Sequence, residues 1–227
     1  MTEVTVRIVH DFICPWCFIG QKNMQSVATA WSDKYKVKVE FSPYFLNKNI
    51  PRDVGMSAKK YIEEKYPKKD SSSSAGLSKD TKSVLQQMGE DADIFFPKST
   101  EGRKVYHSGR AHLLEKYASE RLESSALWAL ANDIYNAYHI ELKNIDSADV
   151  LIPIALKYKL SEAEVREAIE SETELEKTIK EADRNKDVEV GVPQIYFHRQ
   201  GKGLVNQISG AQGTRELLKA LKVAAEK

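Results

Sequence analysis

From its first residues the chain alternates between apolar and polar positions. Val4, Val6 and Ile8 are separated by Thr5 and Arg7, a period of two that predicts a strand over residues 2–12 with one buried face. An apolar run from Phe12 to Ile19 breaks this rhythm. The period then lengthens: Met24, Val27, Ala28 and Trp31 fall on one face at spacings of three, four and seven, which predicts a helix reaching about Asp33. Val37, Val39 and Phe41 then alternate with Lys38 and Glu40, giving a second strand over 36–45. Strand, helix and strand within about 45 residues make a βαβ unit.

The texture changes after residue 48. Residues 48–70 are polar and basic, with one short helical pattern over 58–66. Lys68-Lys69-Asp70 followed by Ser71 to Ser74 has nothing to bury and reads as a linker. From Leu77 to about Arg184 only helical periods occur, and helices are expected over 78–89, 104–121, 123–139, 147–158, 161–170 and 172–186. Ser161 with Glu164 and Ser171 with Glu174 match the capping box, so the last two are separate helices. The second of these is mostly charged and should expose a wide face. Strand character returns over 193–198 and 204–208, joined by the turn Gly201-Lys202-Gly203. Gly210 ends that hairpin, and Thr214 is expected to cap a final helix with Leu217, Leu218, Leu221 and Ala225 as its buried stripe. No internal repeat is present. The division this implies is one unit made of 1–48, 187–227 and part of 161–186, and a helical insertion over 49–160.

Composition narrows the classes. The 227 residues are 41% apolar and 30% charged, the balance of a globular chain with enough length for a core. Net charge is +1, which argues against nucleic acid as a partner. The longest apolar run is far shorter than the ~20 residues of a membrane span. The opening Met1-Thr2-Glu3 lacks the basic start of a signal peptide, so a cytoplasmic protein with no membrane partner is expected.

Chemistry concentrates in that apolar run. The two cysteines are Cys14 and Cys17, in Cys14-Pro15-Trp16-Cys17 at a strand-to-helix junction. A helix start offers unpaired N–H groups and a positive dipole end, which favour a thiolate at the first cysteine. The second, three residues on, shares its face and can attack a mixed disulfide to release substrate. Pro15 fits the first helical turn, where its missing N–H costs nothing. Two buried apolar cysteines, or half of a zinc site, are the competing readings. A structural zinc site needs four ligands, and of the histidines at 10, 107, 112, 139 and 198 only His107 and His112 have ligand-like spacing. No metal and no bound cofactor are therefore expected.

A second element is Val190-Gly191-Val192-Pro193-Gln194-Ile195. Taken alone, Pro193 is a strand start that tolerates a missing donor. Without its insertion, however, the chain runs βαβαββα, the thioredoxin order, in which a cis-proline lies opposite the redox pair. The Val192 backbone would then be turned toward the site, where an extended substrate segment can pair with it.

These residues together resemble one family. The segment Asp11-Phe12-Ile13-Cys14-Pro15-Trp16-Cys17-Phe18-Ile19-Gly20, with Phe45-Leu46-Asn47, Gly191-Val192-Pro193 and Ser209-Gly210-Ala211-Gln212, is similar to DsbA-like thioredoxin proteins, most of all their FrnE-like branch. That branch is related to 2-hydroxychromene-2-carboxylate isomerases and kappa-class glutathione transferases. The resemblance implies an α/β thioredoxin fold with a large all-helical insertion, and thiol–disulfide oxidoreductase activity. It makes Cys14 the nucleophile, Cys17 the resolving cysteine and Pro193 the cis-proline, with Trp16, Val192 and Pro193 against the substrate. The family segment Asn-Ser/Thr-x-x-Ala-His falls on residues 107–112, with His107 in place of the Asn, and His112 reads as a packed helix histidine.

Three functions follow. The first is disulfide exchange, as reductase, oxidase or isomerase, on a dithiol or disulfide substrate, with glutathione as a possible electron partner. Dithiol couples of this kind span about −270 to −120 mV, so the pattern does not fix the direction. The second is a glutathione-dependent isomerase or transferase of the kappa type, which needs no cysteine pair. The third is a peptide-binding chaperone that uses an exposed Trp16 without redox chemistry.

Overall fold

The computed structural model describes residues 2–65, 79–98, 102–185 and 191–226. The chain opens with β1 (Thr2–His10), α1 (Pro15–Ala30) and β2 (Tyr35–Pro43). A long insertion follows: β3 (Met56–Ser57), α2 (Ala58–Lys65), α3 (Lys79–Asp91), β4 (Lys104–Val105), α4 (Gly109–Ser119), α5 (Ser124–His139), α6 (Ala148–Lys157) and α7 (Glu162–Glu170). The chain closes with α8 (Glu172–Arg184), β5 (Gln194–Arg199), β6 (Gly203–Ser209) and α9 (Thr214–Glu226).

The four long strands form one sheet in the order β2-β1-β5-β6. β1 lies parallel to β2, with Val4 opposite Val37 and Ile8 opposite Phe41. It lies antiparallel to β5, with Ile8 opposite Ile195. Val4, Val6 and Ile8 are fully buried, as the alternation requires of a strand paired on both sides. α9 packs on α1 and on β1, β5 and β6, burying Leu217, Ala220, Leu221, Ala224 and Ala225, with Leu218 half-buried. α4, α5 and α8 pack against β2. This is the α/β thioredoxin-like arrangement with a helical insertion that the sequence implied.

The insertion is not wholly helical. The pattern over 104–121 predicts one helix, yet α4 starts only at Gly109. Before it, β4 pairs antiparallel with β3, Met56 facing Val105 and Ser57 facing Lys104. Local hydrogen bonds decide the difference. The Ala58 N–H donates to the Arg103 carbonyl at 3.0 Å, and the Gly109 N–H donates to His107 Nδ1 at 2.9 Å. These bonds hold 103–108 extended and turned, where a helix would have needed the same groups.

Smaller shifts have similar causes. β1 ends at His10 rather than at residue 12, because Asp11 and Phe12 form the turn into α1. The cap of α9 is one residue earlier than expected: the Leu217 N–H donates to the Gly213 carbonyl, which puts Thr214 inside the helix. Of the two capping boxes, Ser171 accepts from the Glu174 N–H at 3.3 Å, whereas Ser161 makes no side-chain cap bond. The expected linker at 68–74 lies outside the described residues. No helix among the described residues is long and apolar enough to cross a membrane.

Ile8 has no exposed surface and sits between Phe41 and Ile195 at the centre of the sheet. Ile8→Ala should lower stability by about 2–5 kcal/mol through lost burial and the cavity left behind. Urea unfolding followed by circular dichroism measures this; a loss under ~1 kcal/mol would show that the sheet centre is not packed as described.

Candidate active site

The turn between β1 and α1 is built on Asp11. Its side chain is fully buried, and such a carboxylate needs donors. Oδ1 accepts the Ile13 N–H at 3.2 Å and Oδ2 the Leu46 N–H at 2.7 Å. The Ser108 hydroxyl also bonds it, and the Asp11 carbonyl accepts the Cys14 N–H at 3.0 Å. Burial pushes the Asp11 carboxyl above its ordinary value, against the pull of these donors.

Cys14 is thereby held at the N-cap of α1, with Pro15 in the first turn. Its carbonyl accepts the Cys17 and Phe18 N–H groups at 3.1 and 3.3 Å, so the pair shares the helix's opening turn. Cys14 keeps a sliver of exposure (4%) and Cys17 none; both are free thiols. Burial drives the Cys17 thiol well above its normal range, and its hydrogen bond to Cys14 adds to that shift. Cys17 is thus a protonated, shielded thiol. Trp16 is half-buried and packs on the core rather than standing exposed.

The second arm of the site is the loop into β5. The Val192–Pro193 bond is cis, and the Val192 carbonyl lies 3.9 Å from Cys14 Sγ. Gly191 and Gly210 on either side both have φ near +77°, a conformation that glycine alone adopts without strain. The Ser209–Gln212 segment braces this loop. The Gly210 N–H donates to the Pro193 carbonyl at 2.8 Å, Ser209 Oγ donates to Gln194 Oε1 at 2.7 Å, and Gln194 Nε2 donates to the Gly191 carbonyl at 2.7 Å. Asn23 on α1 donates to the Gln212 carbonyl at 2.9 Å, which ties the brace to the cysteine helix. Gly20 lets that helix come close: a Cβ there would stand 3.0 Å from Pro193 Cγ.

Behind the pair lies a polar cluster that sequence reasoning missed. His10 Nδ1 is 2.7 Å from the Tyr135 hydroxyl, and His10 Nε2 is 3.0 Å from Glu115 Oε2. His112 adjoins both, and His139 donates through Nε2 to the Phe12 carbonyl at 3.0 Å. Tyr135 stacks on Phe18 with ring centroids 4.9 Å apart. Burial depresses all three imidazoles: His10 falls to about 3, and His112 and His139 are lowered too, while Glu115 is raised. Burial thus disfavours the charged form of each of these groups. His112 is buried on α4, and His107 is also buried and accepts the Gly109 N–H. The one sequence signal for the cluster was the i, i+3 spacing of His112 and Glu115 on one helix face.

Cys14, Cys17, Val192 and Pro193 are therefore neighbours, with Trp16 beside them in the first turn of α1. The sequence pattern of the DSBA-like thioredoxin domain family matches residues 5–222. The chain belongs to that family. No protein of curated function matches the sequence. Among solved structures, a probable DsbA oxidoreductase of Streptomyces coelicolor superposes with a TM-score of 0.76 at 19% identity, over 99% of this chain and 91% of that one. The cytosolic disulfide reductase DsbM of Pseudomonas aeruginosa gives 0.61 at 16% identity, over 97% and 95% of the two chains. A 2-hydroxychromene-2-carboxylate isomerase gives 0.60 at 15% identity, over 95% and 91%. At these identities the likeness is one of fold.

The difference in exposure predicts an order of reaction. In the native protein at neutral pH, iodoacetamide should modify Cys14 first, and Cys17 should react only after denaturation. Peptide mass mapping over time distinguishes the two; equal rates, or Cys17 reacting first, would contradict the difference in exposure.

Proposed function

We propose that the protein is a thiol–disulfide oxidoreductase of the FrnE-like branch, with Cys14 as nucleophile and Cys17 as resolving thiol. The observation that carries this reading is the position of Cys14 at the N-cap of α1, with the protonated Cys17 bonded to it and the Val192 carbonyl 3.9 Å away. In the reducing direction, the Cys14 thiolate attacks one sulfur of a substrate disulfide. A Cys14–substrate disulfide forms and the other substrate sulfur leaves as a thiolate. Cys17 then loses its proton and attacks the Cys14 sulfur, forming the Cys14–Cys17 disulfide and releasing the second substrate thiolate. Two glutathione molecules or an external dithiol return both electrons, and the same steps run backwards oxidise a dithiol. Trp16, Val192 and Pro193 line the approach to Cys14, where an extended peptide can pair with the Val192 backbone.

Glutathione as electron partner draws support from the DsbM structure with GSH, which superposes with a TM-score of 0.59 at 16% identity. The chain holds no cysteine beyond the pair, so nothing in its fold needs an oxidising compartment, and the proposal includes a cytoplasmic setting. The likeness to the isomerase favours one competing reading, a glutathione-activating site that uses Cys14 alone. A half-buried Trp16 gives little surface for the chaperone reading.

Cys17→Ser separates the first two. Under disulfide exchange it should stall as a mixed disulfide on Cys14, visible by non-reducing electrophoresis and mass spectrometry, with turnover of insulin or glutathione disulfide lost. Full glutathione-dependent isomerase activity in Cys17→Ser, with no reductase activity in the parent protein, would favour the isomerase.

The resolving step should also depend on pH. Burial is the first cause of the raised Cys17 thiol, and it persists in the mixed disulfide, when Cys14 carries no charge. Below its raised pKa the thiolate fraction grows about tenfold per pH unit, so the resolution rate should climb with pH across the neutral-to-alkaline range. Single-turnover release of a preformed mixed disulfide reads this slope; a flat profile between pH 6 and 8 would contradict it.

A further inference from the structure

We propose that His10, His112 and Glu115 form a binding site for one divalent first-row transition-metal ion of the zinc or cobalt type, reached through the cavity between α4, β2 and α8. The ligand-bearing atoms of these three residues all lie within 4.8 Å of one another. His10 Nε2 is 3.0 Å and His112 Nδ1 3.6 Å from Glu115 Oε2. Donors around a tetrahedral zinc stand about 3.4 Å apart, given zinc–nitrogen bonds near 2.1 Å. Glu115 is thus already spaced for the role against both imidazoles.

Two independent observations point to an occupant. First, both ring nitrogens of His112 and Oε1 of Glu115 are buried and make no well-formed hydrogen bond: His112 Nδ1 stands 3.6 Å from Glu115 Oε2, and Nε2 stands 3.9 Å from Asp11 Oδ1. Orphaned polar atoms of this kind are costly, and a cation at their centre would satisfy a nitrogen and a carboxylate oxygen together. Second, a cavity of about 240 Å³ opens onto the cluster, lined by His112, Glu115, Thr178 and Glu181 among others. It supplies a path for an ion and room for a solvent ligand, since three protein ligands leave a position open.

The surroundings suit such an ion. The Tyr135 hydroxyl, 2.7 Å from His10 Nδ1, turns Nε2 toward the cluster, as an outer partner does for a ligating histidine. Two imidazoles and a carboxylate favour zinc, cobalt or iron over calcium or magnesium. The expectation of no metal came from cysteine and histidine spacing along the chain. That spacing is blind to this set, because His10 is on β1 and the other two are on α4.

The test must keep the cysteine pair out of the coordination. Protein carrying the Cys14–Cys17 disulfide is titrated with Co²⁺, read by visible absorption and by competition with a chromophoric chelator. One equivalent should bind with d–d bands and no thiolate charge-transfer band. His112→Ala should weaken binding by at least about tenfold. Glu115→Gln should do the same while keeping side-chain volume, so it serves if His112→Ala does not fold. Crystals of the unaltered protein soaked in Co²⁺ should give an anomalous peak between the three side chains. Titration without saturation, a peak elsewhere only, or undiminished binding by folded Glu115→Gln would overturn the site. None of these outcomes bears on disulfide exchange, which is read separately from turnover.

Discussion

A carboxylate with no access to water must be surrounded by donors, and the active end of this molecule is organised by that requirement at Asp11. Its two oxygens gather N–H groups from residues 13 and 46, and Ser108 joins them from the edge of α4. Three chain segments that are remote in sequence are thereby fixed at the end of β1. The Asp11 backbone carbonyl then orients the Cys14 N–H, so the residue that closes the strand also sets the first turn of the cysteine helix. An apolar residue here would leave buried backbone donors unpaired, which costs more than the hydrogen bonds themselves contribute.

The frame of the fold was legible because its strands and helices bury clean faces. Val4, Val6 and Ile8, the stripe of α9, and the order of the elements all follow from period and chain sequence. The two arms of the site were legible for a different reason: cysteine spacing and Gly-Val-Pro are rare local patterns with few alternatives. What stayed hidden depends on contacts between distant segments. The β3–β4 pairing joins residues about 50 apart, and no local signal in Lys104-Val105 announces it. The cluster of His10, Glu115 and Tyr135 draws on β1, α4 and α5, each of which reads as ordinary amphipathic sequence. Buried polar residues look like surface residues to a periodic reading. Glu115, only 4% exposed, is one such residue.

The cysteine helix is anchored from both sides. Phe18 stacks on Tyr135 of the insertion, and Asn23 bonds the Gln212 carbonyl at the edge of the sheet unit. The helix cannot shift against the Pro193 loop without disturbing the insertion as well. Such coupling gives the insertion a role in positioning, since preorganised groups must be held by rotamers that are themselves locked by packing.

The strand order has a consequence for how the protein comes to be made. β1 is the innermost parallel partner of β2, yet its other edge is covered only by β5, roughly 190 residues later. At translation rates of about 5–20 residues per second, that edge waits on the order of 10–40 s for its mate. Through that interval a strand with valine and isoleucine on its buried face stays open along one side, the kind of surface that pairs with the wrong neighbour. The helical insertion is synthesised within the same interval. α5 and α4, which pack on β2, emerge in time to cover part of the incomplete sheet before its last strands arrive.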